Sequence, residues 1–318
     1  TVINDLNFTS INTFFNNGII KNFKILTKNI NSIGKNSIKY KNSPQSELMS
    51  AYNFNFSMPL EKKNKSSINS LIPKASFQLS PHDMKEHTNT SRTINVDNIF
   101  SSNRLALSDS FESGESLTLG VNFVKEKMNI INEITEIEDY FDFKLATVLR
   151  LKEEEDIPIN STLNKKTSNI FGQLNFKPNE IISLNYNFSL KNDLNTFEYN
   201  SITSKFDFNN FSTQFNFIEE NGVIGNTNVL ENITEYNLDE NNSISFKTRR
   251  NRELNLTEYY DLIYEYKNDC LTANIKYRKD YYNDADIIPK EELFFSITIV
   301  PFYTFSPDKM ILNKDRKS

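Results

Sequence analysis

"IISLNYNFSL", residues Ile181 to Leu190, repeats with a period of two. Ile182, Leu184, Tyr186, Phe188 and Leu190 fall on one side of an extended chain, with Ser183, Asn185, Asn187 and Ser189 on the other, because successive side chains of a strand point to opposite faces. One face is apolar and the other is wet. The alternation returns in "AYNFNFSM" (Tyr52, Phe54, Phe56, Met58), in "YFDFKLATVLRL" (Phe141, Phe143, Leu145, Leu149, Leu151) and in "LTANIKYR" (Leu271, Ala273, Ile275, Tyr277). Helical periodicity does not recur over any useful length. With 26 Phe, 14 Tyr, 7 Gly and no Trp, the inventory favours strands.

The pattern predicts roughly fifteen strands joined as antiparallel hairpins. Short turns near Asn17, Asn179, Asn209, Asn241 and Asp269 are interleaved with longer polar segments at Gly34–Gln45, His82–Gly114, Glu153–Thr167 and Asn283–Lys290. Short turns on one rim and long loops on the other are the habit of outer-membrane barrels. A soluble sandwich also alternates, but strands of about 10–14 residues suit tilted membrane crossings better. No apolar run of about 18 residues exists to form a transmembrane helix, whereas a spanning strand needs only about 9–11 residues. The fold expected is therefore all-β, a transmembrane antiparallel up-and-down barrel.

A balance of 36 basic and 41 acidic residues, net charge -5, leaves no electrostatic footprint for nucleic acid. The chain begins "TVINDLNFTS", with neither an initiator Met nor a signal peptide, and reads as a mature or truncated piece of something longer.

Four segments carry a family resemblance. "LIPKASFQLSPHDM" (Leu71–Met84) and "VDNIFSSNRLALSDSFESGESLTLGVNF" (Val96–Phe123) resemble the central signature of LptD, the lipopolysaccharide-assembly outer-membrane family also called organic solvent tolerance protein, in its alphaproteobacterial form. "RRNRELNLTEYYDLIYEYKNDCLTANIKYRKDYY" (Arg249–Tyr282) and "EELFFSITIVPF" (Glu291–Phe302) look like the end of its barrel. Asn98, Phe100, Asn103, Arg104, Asp109, Glu112 and Gly114 fit the family pattern. A glycine common within Leu105–Ser108 is missing, and Ser110 and Glu115 or Ser116 stand where arginines are common, so no role passes to those positions.

On its own chemistry, a polar loop of more than about thirty residues is costly to order unless it packs on something. Asp97, Arg104, Asp109 and Glu112 could pair inside a polar lumen as a plug or ordered lid, or the loop could be a mobile surface segment; the resemblance favours the ordered loop. His82 and His87, flanking Asp83 and Glu86, offer a weak metal site. Ser80, His82 and Asp83 are too close on one extended segment to form a triad. "KEEEDIP" (Lys152–Pro158) reads as a solvated loop or a divalent-cation contact, and "KTRRNR" (Lys247–Arg252) as a rim position, snorkelling or meeting phosphorylated sugars. Pro59, Pro73 and Pro301 are expected at or near strand ends.

Cys270 is the sole cysteine. Barrels finish with a strand running toward the periplasm; taking Glu291–Phe302 as that strand places Asn283–Lys290 and Val96–Gly114 outside, and the turn before Cys270 in the periplasm. An odd thiol in an oxidising compartment suggests a partner elsewhere, the alternative being a buried small apolar residue. The resemblance implies that Cys270 pairs with a cysteine of an amino-terminal periplasmic domain absent here.

The resemblance further implies that residues 1–305 are the carboxy-terminal portion of a larger barrel, with 306–318 a polar tail. Missing parts would supply a jelly roll and the first strands. The function implied is insertion of lipopolysaccharide into the outer leaflet of a Gram-negative outer membrane by lateral opening of the barrel. Phe295, Ile297 and Ile299 would lie on the seam strand. No enzyme activity, cofactor or metal is implied; an LptE-like lipoprotein plug and a periplasmic LptA-like bridge are the implied partners. A porin, a receptor or a soluble β scaffold are the alternatives.

Overall fold

A computed structural model describes residues 1–36, 41–131, 134–281, 290–299, 303–305 and 310–311. The strands are Val2–Thr9 (β1), Thr13–Phe14 (β2), Ile20–Ser32 (β3), Gln45–Ser57 (β4), Leu60–Lys63 (β5), Ser67–Ser80 (β6), Gly114–Ile131 (β7), Ile134–Arg150 (β8), Ile170–Phe176 (β9), Ile182–Leu190 (β10) and Phe197–Phe208 (β11). They continue with Phe211–Glu220 (β12), Thr227–Asn237 (β13), Asn242–Asn251 (β14), Leu256–Lys267 (β15), Leu271–Asp280 (β16), Glu291–Ile299 (β17), Tyr303–Phe305 (β18) and Met310–Ile311 (β19). The only helix among the described residues is a turn of 3-10 helix at Ile159–Ser161. By internal contacts the chain falls into two units, 1–175 with 187–199 and 221–225, and 176–186 with 200–220 and 226–318.

In the first unit, one row of paired residues crosses five antiparallel strands: Phe23, Phe54, Phe77, Leu117 and Leu149. This row is apolar and open, with Phe54 41% and Phe77 36% exposed, and the rings of Phe23 and Phe54 stack at 5.6 Å. The next row, Lys24, Asn53, Gln78, Ser116 and Arg150, points the opposite way. From Asn53 to Arg150 it is buried. A soluble sheet buries its apolar face; here the apolar face is the outer one and the polar face is covered, as in a membrane barrel.

What covers the polar face is the connection between β6 and β7, joined by the one between β8 and β9. Met84, Ile94, Ile99, Leu105 and Leu107 of the first connection pack with Ile157 and Leu163 of the second onto Ala146, Val148 and Phe171. Phe111 packs separately with Ile30, Met49 and Ala51 of β3 and β4. The "KEEEDIP" segment is solvated only in part: Lys152, Glu153 and Glu155 are exposed, whereas Ile157 is fully buried and Glu154 accepts from Ser113.

Pro73 lies inside β6, not near its end. Its place is explained by its neighbour. The ladder with β4 stops at Ser57–Lys74 and resumes with β5 at Leu60–Leu71, so the residue lacking an N–H faces the interruption at Pro59. Its carbonyl still accepts from the Met58 N–H at 3.1 Å. Pro301 lies outside the described residues.

The second unit is a meander in which each strand from β12 to β17 pairs with the next. Its tight turns carry Asx geometry. Asn179 Oδ1 accepts from the Ile181 and Ile182 N–H groups, Asp239 Oδ1 from Asn241 and Asn242, and Asn268 Oδ1 from Cys270 and Leu271. On one face Phe246, Leu262, Tyr277 and Leu293 pair in a row; on the other, Lys247, Asp261, Arg278 and Glu292 do. Asp261 is gripped by Arg278 at 2.6 and 2.8 Å and by Lys276 at 3.1 Å.

Of the expected last strand, 291–302, residues Glu291–Ile299 form β17 and 300–302 lie outside the described residues. The far edge of β17 pairs with β18 and β19. Among the described residues nineteen strands stand where roughly fifteen were expected. The surplus comes from short pieces such as β2, β5, β18 and β19, which are too brief to show alternation. A strand beyond β17 also removes the chain-end argument for orientation; the segregation of short turns from long connections remains.

Candidate functional site

The connection from Pro81 to Ser113 carries most of the residues singled out from sequence, and its anchor is a buried ion network. Arg104 donates from Nε to Glu112 Oε2 at 2.7 Å and from Nη2 to Oε1 at 2.5 Å. The remaining donors of the same guanidinium reach into β7, with Nη1 on Thr118 Oγ1 at 2.7 Å and Nη2 on Ser116 Oγ at 2.9 Å. Arg150, the last residue of β8, donates to Glu112 Oε1 and to the Ser113 carbonyl. All three side chains are 2–3% exposed. Such a group is tolerated only when every donor is matched, since an unpaired buried charge costs several kcal/mol, on the order of 3–5. Burial acts to raise the Glu112 pKa, but the two guanidiniums outweigh it and hold the carboxyl below its ordinary value of 4.5.

Around this anchor the loop is built from local turns. Asn98 closes one: its N–H donates to Asn95 Oδ1 at 3.1 Å, its Oδ1 accepts from the Asn95 N–H, and its Nδ2 donates to the Thr93 carbonyl. The Asn103 carbonyl accepts from the Ala106 N–H at 2.9 Å. Ala106 has φ 48°, in the left-handed region, within the segment where the glycine is missing. The backbone still makes the turn that suits glycine. Gly114 opens β7 at φ 79°, where an added Cβ would also meet Arg150 Nη2 at 3.2 Å.

Phe100 lies against Gly120 of β7, at which a Cβ would stand 2.8 Å from the ring. The Lys74 ammonium sits over that ring, 5.9 Å from its centroid. Asp97 meets Lys144 at 3.3 Å, an exposed contact of little energetic weight. Asp109 is buried and faces His87 Nε2 at 3.1 Å. The loop therefore places Arg104 with Glu112 and, separately, Asp109 with His87; Asp97 lies apart from both. His82 turns to the Ser50 carbonyl at 3.0 Å, and no cluster of three or more metal-type ligands occurs among the described residues.

Arg150, Thr118 and Gly120 were not singled out from sequence, and Ser116 only as a place where an arginine is common and to which no role passed. One signal was there: alternation in "YFDFKLATVLRL" puts Arg150 opposite Leu149, a cation on the polar face. Its partner lies 38 residues away and no spacing rule reaches it.

Phe295, Ile297 and Ile299 pair with Ile275, Ala273 and Leu271 on the apolar face of β17. Cys270 is exposed at the turn between β15 and β16, which removes the alternative of a buried apolar residue. Arg252 stacks on Phe217 at 5.4 Å and Arg249 pairs with Glu258 at 2.8 Å.

An all-β antiparallel meander with an apolar outer face, a covered polar face and a long locked connection defines an outer-membrane β-barrel. Residues 26–232 match the family described as LptD, LPS transport system D. The chain belongs to the LptD family, and the outer membrane is its location. No curated protein sequence matches it significantly. Among solved structures it is similar to variants of the porin of Rhodopseudomonas blastica. A double mutant aligns at TM-score 0.34 and 9% identity over 87% of this chain and 89% of that one. A triple mutant aligns at 0.36 and 9% over 91% and 92%. These values are too low to carry an argument; the family match carries the assignment.

Proposed function

We propose that this chain forms part of a lipopolysaccharide translocon that delivers its substrate to the outer leaflet by lateral opening of the barrel. The observation that supports this most is the pairing of an apolar outer row with a polar inner row, in a chain of the lipopolysaccharide-transport family. Acyl chains suit the first surface and phosphorylated sugars the second. The ordered connection fastened by Glu112 would narrow the polar passage on one side and steer the sugars. No bond is made or broken, so the activity is transport rather than catalysis. Phe295, Ile297 and Ile299 would lie near the opening edge, with β18 and β19 completing it.

The same reading assigns an LptE-like lipoprotein to the lumen and an LptA-like bridge to the periplasmic side. The exposed thiol of Cys270, on a tight turn, is placed to pair with a cysteine outside this chain.

The test is depletion of the full-length protein followed by measurement of lipopolysaccharide on the cell surface. Loss from the outer leaflet with accumulation behind it is expected. Unchanged surface lipopolysaccharide, with loss of small-solute permeability instead, would overturn the reading in favour of a porin.

A further inference from the structure

Away from the ion network, the same connection encloses a cleft of about 700 Å³, lined by Lys85, His87, Thr90, Arg92, Ser108 and Asp109 among others. That is ample for a sugar or two. Its charges are unequally committed. Asp109 is buried against His87, and Lys85 is engaged by Glu47 at 3.1 Å. Glu86 is an exposed carboxylate in the lining.

Arg92 differs from these. Its exposed guanidinium reaches only the carbonyls of Ser91 at 3.4 Å and Ala106 at 3.5 Å, and among the described residues no carboxylate forms an ion pair with it. Its backbone is nevertheless fixed: the Arg92 N–H donates to Asn160 Oδ1 at 3.1 Å, and Asn160 Nδ2 donates to Ser91 Oγ at 3.2 Å. A mounted guanidinium with spare donors, beside the hydroxyls of Thr90 and Ser108, matches the fork geometry of phosphate oxygens. A metal is disfavoured by the donor set, since no cluster of three or more metal-type ligands is formed among the described residues.

We propose that this cleft binds the phosphate group of a phosphorylated saccharide, with Arg92 as its chief anion contact. The proposal rests on the lipopolysaccharide reading above and names one contact point for its sugar portion.

Titration of the folded full chain in detergent with glucose 1-phosphate, followed by phosphorus NMR line broadening, tests it. Saturable broadening is expected, weakened about tenfold by Arg92→Gln, less by Arg92→Lys, and unchanged by Lys205→Gln, which removes a cation already paired with Asp207. Parallel titration with inorganic phosphate separates the sources: tighter binding of the sugar phosphate supports the saccharide ligand, whereas equal binding overturns it in favour of phosphate alone. Absence of saturable broadening, or an unaltered Arg92→Gln titration, also overturns the proposal. Surface delivery of lipopolysaccharide is measured separately, so normal delivery without binding defeats the cleft assignment and leaves the translocon reading standing.

Discussion

Phe100 occupies the space that Gly120 leaves open: a Cβ at position 120 would lie 2.8 Å from the ring and 2.8 Å from the Leu145 carbonyl oxygen. The loop touches the sheet where the sheet has no side chain. Gly120→Ala must therefore displace either the ring or the backbone, and is expected to cost about 1–3 kcal/mol. Phe100→Ala empties the same contact and is expected to cost roughly 2–4 kcal/mol. Urea midpoints of the detergent-folded protein, with the double variant included, measure both; a strictly additive double variant would argue against the contact.

Glu112→Gln should be more damaging than its small change in shape suggests. It leaves Arg104 and Arg150 buried without their counter-charge, a loss of about 3–5 kcal/mol. Limited proteolysis should then cut within 81–113 while the strands survive. Replacing Arg104, Glu112 and Arg150 together with apolar residues of similar volume should recover most of the loss, because nothing charged is left buried.

The same carboxyl sets an acid limit. Its folded pKa lies below the ordinary value of 4.5, so its contribution is complete above the unfolded value and is lost as pH falls through the lower folded value. Loop protection against an acid-active protease should hold at pH 5 to 7 and decline only below about 4.5. A decline beginning near neutrality would show that this carboxyl does not set the limit.

Two backbone positions should respond in opposite directions. Ala106, at φ 48°, should gain about 1 kcal/mol on replacement by Gly, which takes the left-handed conformation without strain. Gly114, at φ 79° beside Arg150, should lose roughly 1–3 kcal/mol on replacement by Ala. Thermal midpoints of the two variants, compared with wild type, give the signs.

Cys270 should react with a membrane-impermeant maleimide in the reduced chain, as its exposure requires. In the full-length protein Cys270→Ser should abolish a mobility difference between oxidised and reduced samples. An unchanged oxidised band would end the linkage proposal.

The strands were legible because alternation is local. A Phe at 54 and a Phe at 77 declare the same face through their own neighbours, whichever strand pairs with them. The connection was legible only in part. Arg104 and Glu112, eight residues apart, could be suspected as partners, but Arg150 enters from another hairpin. The burial of Ile157 and Leu163 depends on two loops meeting. Short pieces such as β18 and β19 offer too few residues for any period to show.

Glu112 also fixes an order of assembly. Arg104 reaches Glu112 across a short arc of its own loop, whereas Arg150 arrives from the far end of β8, 38 residues on. Pairing of β7 with β8 sets Ser116 opposite Arg150, which carries the second guanidinium to the carboxylate. Long closures of this kind become inexpensive only after the intervening chain is already structured. The loop is thus fastened by a contact that exists only once the hairpin is complete, so that a sealed loop certifies a finished wall.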